Sequence, residues 1–155
     1  MNQSKFTRNI FIGLLCLIYS TFSFSKAVTS NEYQQVIDTA YNYFKGVAEA
    51  DQTLLSQAFD MDFGHIKMIK VEKEGEGEIE SINSLLLSEF ATFFKQPTKD
   101  KWEADILSVD IVEDKMAMVK LNFETPKTRY IDYLVMYKRN GQWKIINKTF
   151  YSETK

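Results

Sequence analysis

Three side chains carry chemistry that their surroundings do not need. Asp132 interrupts the apolar stretch Tyr130-Ile131-Asp132-Tyr133-Leu134, although aspartate is disfavoured in strands. Alternation puts it on one strand face with Tyr130, Leu134 and Met136. A carboxylate there must either pair with a cation such as Arg129 or a neighbouring lysine, or hold its proton more tightly. Glu89 breaks an otherwise apolar helical stripe, Ile82, Leu85, Leu86, Phe90, Phe93 and Phe94, so it points either into a cavity mouth or into water at the stripe's edge. His65 is the only histidine. Its imidazole ordinarily titrates near neutral pH, which suits an acid, a base or an orienting donor; the plainer reading is a partly exposed strand residue after Gly64.

Aromatic and amide groups form a second set. Trp143, Ile145, Asn147 and Thr149 share one face of the last strand, and Lys144, Ile146 and Lys148 share the other. Lysines favour water, so the Trp143 face is expected to point inward and to bring Asn147 within reach of a ligand. Trp143, Tyr41, Phe44 and Phe93 fit a core before a ligand platform, and Trp102, which starts its strand, fits either rim or core.

Composition excludes several classes. The chain has 155 residues, 45% hydrophobic, with a net charge of -2. It has room for one domain and no global pull towards nucleic acid or anionic lipid. One Cys and one His supply neither a disulfide framework nor a Cys/His zinc site. No glycine-rich phosphate loop or GxSxG elbow occurs, and no basic stripe with interleaved aromatics. The glutamate run at 72–80 lacks the spacing of an EF-hand loop. No cofactor is expected, and no metal.

Residues 1–25 read as a secretory signal peptide. Lys5 and Arg8 precede the apolar run Ile10 to Tyr19, and Ser23 and Ser25 are the small residues before a cut at Lys26. The run is about half the ~20 residues of a spanning helix, so no stable membrane anchor is expected after cleavage. Cys16 lies inside the run without the small residue of a lipobox before it. The expectation is a thiol-free domain over 26–155, periplasmic or secreted.

The elements that must position these groups follow from periodicity. Thr29 and Glu32 have capping-box spacing ahead of a helical stripe Tyr33, Val36, Ile37, Ala40, Tyr41, Phe44, Val47 and Ala48. Asp51 caps a shorter helix. An extended segment over 63–71 and a solvated turn over 72–80 precede a third helix expected from Ser81 to about Lys95. Strands follow at 102–112, 116–124, 130–139 and 142–151, with Asn140-Gly141 as the hairpin signal. Helices first and then an antiparallel meander make an α+β fold.

This order resembles the nuclear transport factor 2-like superfamily. Ile106-Leu107-Ser108-Val109-Asp110-Ile111 with Lys115-Met116-Ala117-Met118-Val119-Lys120-Leu121 is similar to its first long hairpin. Tyr130-Ile131-Asp132-Tyr133-Leu134 with Asn140 to Phe150 is similar to the closing hairpin of the branch described as "putative lumazine-binding". One departure is Glu49-Ala50-Asp51, where relatives often carry Gly-Asp. The resemblance implies a SnoaL-like cone: three N-terminal helices packed in the concave face of a curved antiparallel sheet, a pocket at the open end near His65, and a homodimer through the sheet. It leaves three functions open. The leading expectation is a pocket binding a small, mostly apolar molecule through Tyr41, Phe44, His65, Glu89, Phe93, Trp102, Asp132, Trp143 and Asn147. The alternatives are an isomerase or dehydratase, with Asp132 or Glu89 as base and His65 or a tyrosine as donor, and a dimeric interaction protein whose pocket its own side chains fill.

Overall fold

The computed structural model describes residues 28–74 and 77–155; the leader expected at 1–25 lies outside the described residues. The first helix, α1, spans Ser30–Glu49, and the Glu32 backbone N–H donates to Thr29 Oγ1 at 3.2 Å. Only that half of the capping box serves the helix end. The Glu32 carboxylate instead meets the Lys138 ammonium and, at 2.9 Å, the Trp143 indole N–H. This contact ties the first turn of α1 to the last hairpin.

The buried stripe of α1 is Val36, Thr39, Ala40, Tyr43, Gly46 and Val47. It is rotated from the expected one: Tyr33 is exposed, and Tyr41 and Phe44 are half-buried. Apolar side chains cover much of the helix circumference, so periodicity admits two faces. Close approach selects between them, because a Cβ on Gly46 would stand 2.8 Å from the Leu55 side chain. Ala50 ends α1 at φ 53°, a left-handed conformation that costs a residue with a Cβ about 1–2 kcal/mol. Asp51 Oδ1 then accepts from the N–H groups of Thr53 and Leu54 and caps α2, Gln52–Ala58.

Six strands follow: β1 (His65–Glu74), β2 (Gly77–Leu86), β3 (Glu103–Val112), β4 (Met116–Glu124), β5 (Thr128–Arg139) and β6 (Gln142–Thr154), with α3 (Leu87–Ala91) between β2 and β3. Their order in the curved, unclosed sheet is β2-β1-β6-β5-β4-β3. Neighbours are antiparallel except β1 and β6, which run parallel over His65–Lys67 and Asn147–Thr149. The sheet is therefore mixed, because β1 enters only after two helices have carried the chain back. α1 packs on β3, β4 and β6, and α3 on β1 and β2. The core lies between these helices and the concave sheet face, around Val36, Leu55, Phe59, Leu121, Leu134 and Ile145. Asn140 and Gly141 both have positive φ, as a two-residue hairpin turn requires.

The segment expected as a turn and a long helix differs. Residues 72–74 extend β1, residues 77–86 form β2, and only five residues, Leu87–Ala91, are α-helical. Ser81, expected to cap a helix, pairs with Lys70 in the strand ladder. The apolar spacing of Ile82, Leu85 and Leu86 fits a helix. Pairing along the whole of β1 supplies a ladder that an isolated helical stripe cannot match, and Ile82 lies opposite Ile69, a β-branched cross-strand pair.

The Glu32 contact gives a pH signature. The Lys138 ammonium, and next the Trp143 N–H, hold the Glu32 carboxyl below its ordinary range. The folded state thus binds this proton less readily than the unfolded chain. The stabilisation is complete above pH 4.5, the ordinary value, and is lost as pH falls through the depressed folded one. Glu32→Gln is expected to lose about 1–2 kcal/mol at neutral pH. Urea midpoints of the variant and parent should converge in acid; an equal gap at pH 7 and pH 3 would remove the charge from the explanation.

Candidate functional site

Local geometry in β6 decides what faces the concave side. The β5–β6 register pairs Met136 with Ile145 and Val135 with Asn147, leaving Ile146 as an extra residue. A bulge of this kind shifts the alternation by one position. Trp143 and Ile145 point inward, as expected from the sequence. Beyond the bulge Lys148 and Phe150 turn inward instead of Asn147 and Thr149. Lys148 is 3% exposed, which corrects the assignment of its face to water.

Inward, Lys148 meets Asp132. Its Nζ lies 2.7 Å from Asp132 Oδ1, a close ion pair rather than a well-directed hydrogen bond. Asp132 is fully buried, and its other oxygen accepts from the Tyr43 hydroxyl at 2.8 Å. The ammonium also stands 4.4 Å from the Phe150 ring centroid and 5.5 Å from that of Tyr43, so two aromatic faces share its charge. Burial pushes the Lys148 ammonium below the usual lysine range, with Asp132 opposing the shift. Burial first, and then the Asp132 charge, raise the Tyr43 phenol well above its ordinary value, so Tyr43 remains a donor to Asp132.

Tyr43 and Lys148 form one wall of a cavity of about 260 Å³. Ile66, Met68, Phe90, Phe123 and Phe150 continue its lining. Phe94, Trp102, Thr125 and Tyr130, all half-buried, also line it. Lys148 is the one charged side chain among the described lining residues. Among all described residues, no three His, Cys, Asp or Glu side chains converge as metal ligands would.

The nine residues named from sequence disperse. Trp102 lines the cavity, and Asp132 lies behind it through Tyr43 and Lys148. Phe44 packs edge-on against Phe123, with ring centroids 5.2 Å apart. Trp143 is buried on Glu32. Asn147 takes the convex face, where it accepts from Lys67 Nζ at 2.9 Å. His65 pairs with Asn147 in the parallel ladder, and its Nδ1 contacts the Phe63 carbonyl oxygen at 2.9 Å. Glu89 and Phe93 are exposed, and Tyr41 borders a surface depression with Asp38, Asn42 and Lys45. Asp132, Glu89 and His65 therefore do not converge.

Sequence reasoning passed over Tyr43 and Lys148. The available signal for Lys148 was Ile145-Ile146, two adjacent apolar residues in an alternating strand. For Tyr43 it was its i+7 spacing from Val36.

A cone of helices and curved sheet, with this cavity at its concave face, is the setting for comparison with known proteins. Residues 31–151 match the model of the family described as "Putative lumazine-binding". The chain belongs to that family, and its fold is the nuclear transport factor 2-like fold. One relative is the protein named aldolase FrzH from Cladobotryum sp., 32% identical over 130 residues, or 83% of this chain and 97% of the relative. A nuclear transport factor 2-like protein of unknown function from Shewanella baltica OS155 superposes with a TM-score of 0.65 at 20% identity, covering 82% of this chain and 98% of that one. The association domain of C. elegans CaMKII shares the fold at a TM-score of 0.53 and 14% identity, covering 77% of this chain and 95% of that domain. The family match over residues 31–151 takes in all of the cavity lining named above.

Proposed function

We propose that this family member is an exported domain that holds a small, mainly apolar molecule in the Lys148 cavity. The observation that carries the reading is a cavity of about 260 Å³, lined mostly by aromatic and aliphatic side chains with one ion-paired lysine in its wall. Such a site favours an apolar body through burial and a single acceptor group through Lys148. Export rests on the basic, apolar and small-residue order of 1–25.

The oligomer belongs to the same proposal. The convex face of β4, β5 and β6 exposes Met118, Tyr133, Tyr137 and Tyr151, and a second copy would cover this apolar surface. A second functional reading is an enzyme acting on a carbonyl compound. The aldolase name of the FrzH relative and the buried lysine in the cavity wall favour it.

Native mass spectrometry of the full chain, expressed with its leader and recovered from the periplasm, tests the reading. The expected species is a dimer starting at Lys26 that carries a small molecule released on denaturation. Cytoplasmic retention would sink export, a monomer would sink the dimer, and failure to take up any of a panel of apolar small molecules would sink the pocket reading.

A further inference from the structure

We propose that Lys148 is an amine nucleophile that condenses with an apolar aldehyde or ketone in the cavity, forming an imine. The inference rests on the pocket reading and names the substrate class for that site. An exposed lysine is an ammonium at neutral pH and has no lone pair to offer; desolvation favours the neutral amine, and an adjacent carboxylate, although its charge favours the ammonium, can receive the proton that leaves. Lys148 has both. It is 3% exposed, and Asp132 Oδ1 is 2.7 Å from its Nζ. It also lines open cavity space, which distinguishes it from a lysine sealed in a core.

The step balances without an outside reagent. Lys148 Nζ passes a proton to Asp132. The freed lone pair adds to the carbonyl carbon, and a proton moves from nitrogen to the former carbonyl oxygen, giving a carbinolamine. Asp132 returns its proton to that hydroxyl and water leaves. The nitrogen lone pair closes the C=N bond. The lysine ammonium and the carbonyl compound become a protonated imine and water, and Asp132 ends as it began.

The cation so formed occupies the position of the ammonium. It stays beside Asp132 and near the Phe150 ring, whose centroid is 4.4 Å from Nζ now. Tyr43 is a positioning residue, since its hydroxyl fixes the far oxygen of Asp132 at 2.8 Å. No other charged group lines the described cavity, so a carbonyl compound without phosphate or carboxylate fits best.

The test uses the wild-type chain. Hydrocinnamaldehyde is added with sodium cyanoborohydride, which reduces an imine to a stable secondary amine, and labelled lysines are mapped by mass spectrometry. Hydrocinnamyl alcohol, which has the same body without the carbonyl, is titrated separately against tryptophan emission, because Trp102 lines the cavity. The expected result is labelling of Lys148 at least about tenfold faster than any exposed lysine such as Lys127, slowed by the alcohol. If the alcohol binds while label spreads over exposed lysines and spares Lys148, the imine is overturned and the pocket reading stands. If the alcohol leaves the emission unchanged and Lys148 stays unlabelled, both fail.

Discussion

Lys148→Met is expected to cost the fold about 3–5 kcal/mol, the range for removing one partner of a buried ion pair. The reason is what remains. Asp132 is fully buried, and without the ammonium its carboxylate keeps only the Tyr43 hydroxyl at 2.8 Å. An uncompensated charge in that setting outweighs the apolar contact that methionine adds. Replacing both partners, as Asp132→Leu with Lys148→Met, should recover most of the loss, because buried pairs repay little beyond their own desolvation. The double-mutant cycle, read from urea unfolding, should therefore show strong coupling. A single variant as stable as the parent would mean that the pair is not dry. The parent should also carry a pH signature that the double variant lacks. Burial holds Lys148 below the ordinary lysine value of 10.5. Between the folded and unfolded values the unfolded chain binds more protons, so this group makes stability rise with pH across that window.

Gly64→Ala is expected to destabilise the domain by about 3 kcal/mol, the upper part of the usual range for overpacking. A Cβ there would lie 2.5 Å from the Asp60 carbonyl oxygen, 2.6 Å from Leu87 Cδ1 and 3.1 Å from the Ile145 carbonyl oxygen. Two of the three are backbone atoms, which cannot swing aside as a side chain can. The same backbone is held by hydrogen bonds: Gly64 N–H donates to the Asp60 carbonyl at 2.9 Å, and the Leu87 N–H donates to the Gly64 carbonyl at 2.8 Å. Asp60 is itself anchored. Burial would raise its carboxyl, but the Phe63 N–H, the Arg139 guanidinium and the Asp62 N–H together hold it below the ordinary range. Yielding at Gly64 would disturb the start of β1, and with it Ile66 and Met68 in the cavity wall. Gly141→Ala is the control, since open space surrounds that position but its φ is +79°; it should cost about 1–2 kcal/mol through backbone strain alone. Equal losses at the two sites, measured by urea unfolding, would refute a steric cause at Gly64.

Much of the fold was written in local pattern. The Thr29 cap, the Asp51 cap, the Asn140-Gly141 turn and the strands β3 to β5 depend on residues close in sequence, and each formed as expected, although a register shift between Ile106 and Ser108 breaks the alternation of β3. The family was legible for the same reason, because its closing hairpin is a local motif. Other features depended on partners far along the chain. Residues 81–86 carry a helical spacing and became strand once β1 lay alongside. Tyr33, Tyr41 and Tyr43 compete for the buried side of α1, and the approach of α2 at Gly46 chose among them.

The site belongs to the second group. Asp132 was recognisable as a charge in an apolar strand, but its face was open, since both sides of that strand carry apolar residues. Lys148 was placed in water by the preference of lysine for solvent, a sound rule for a regular strand. One extra residue at Ile146 reversed the alternation and brought the lysine to the carboxylate. By itself the sequence determined the elements outside 72–95, the family and the presence of a misplaced charge. The tertiary structure alone decided that this charge has a partner 2.7 Å away, because a strand bulge and a buried ion pair are set by register between residues 16 positions apart in sequence, about 50 Å along an extended chain.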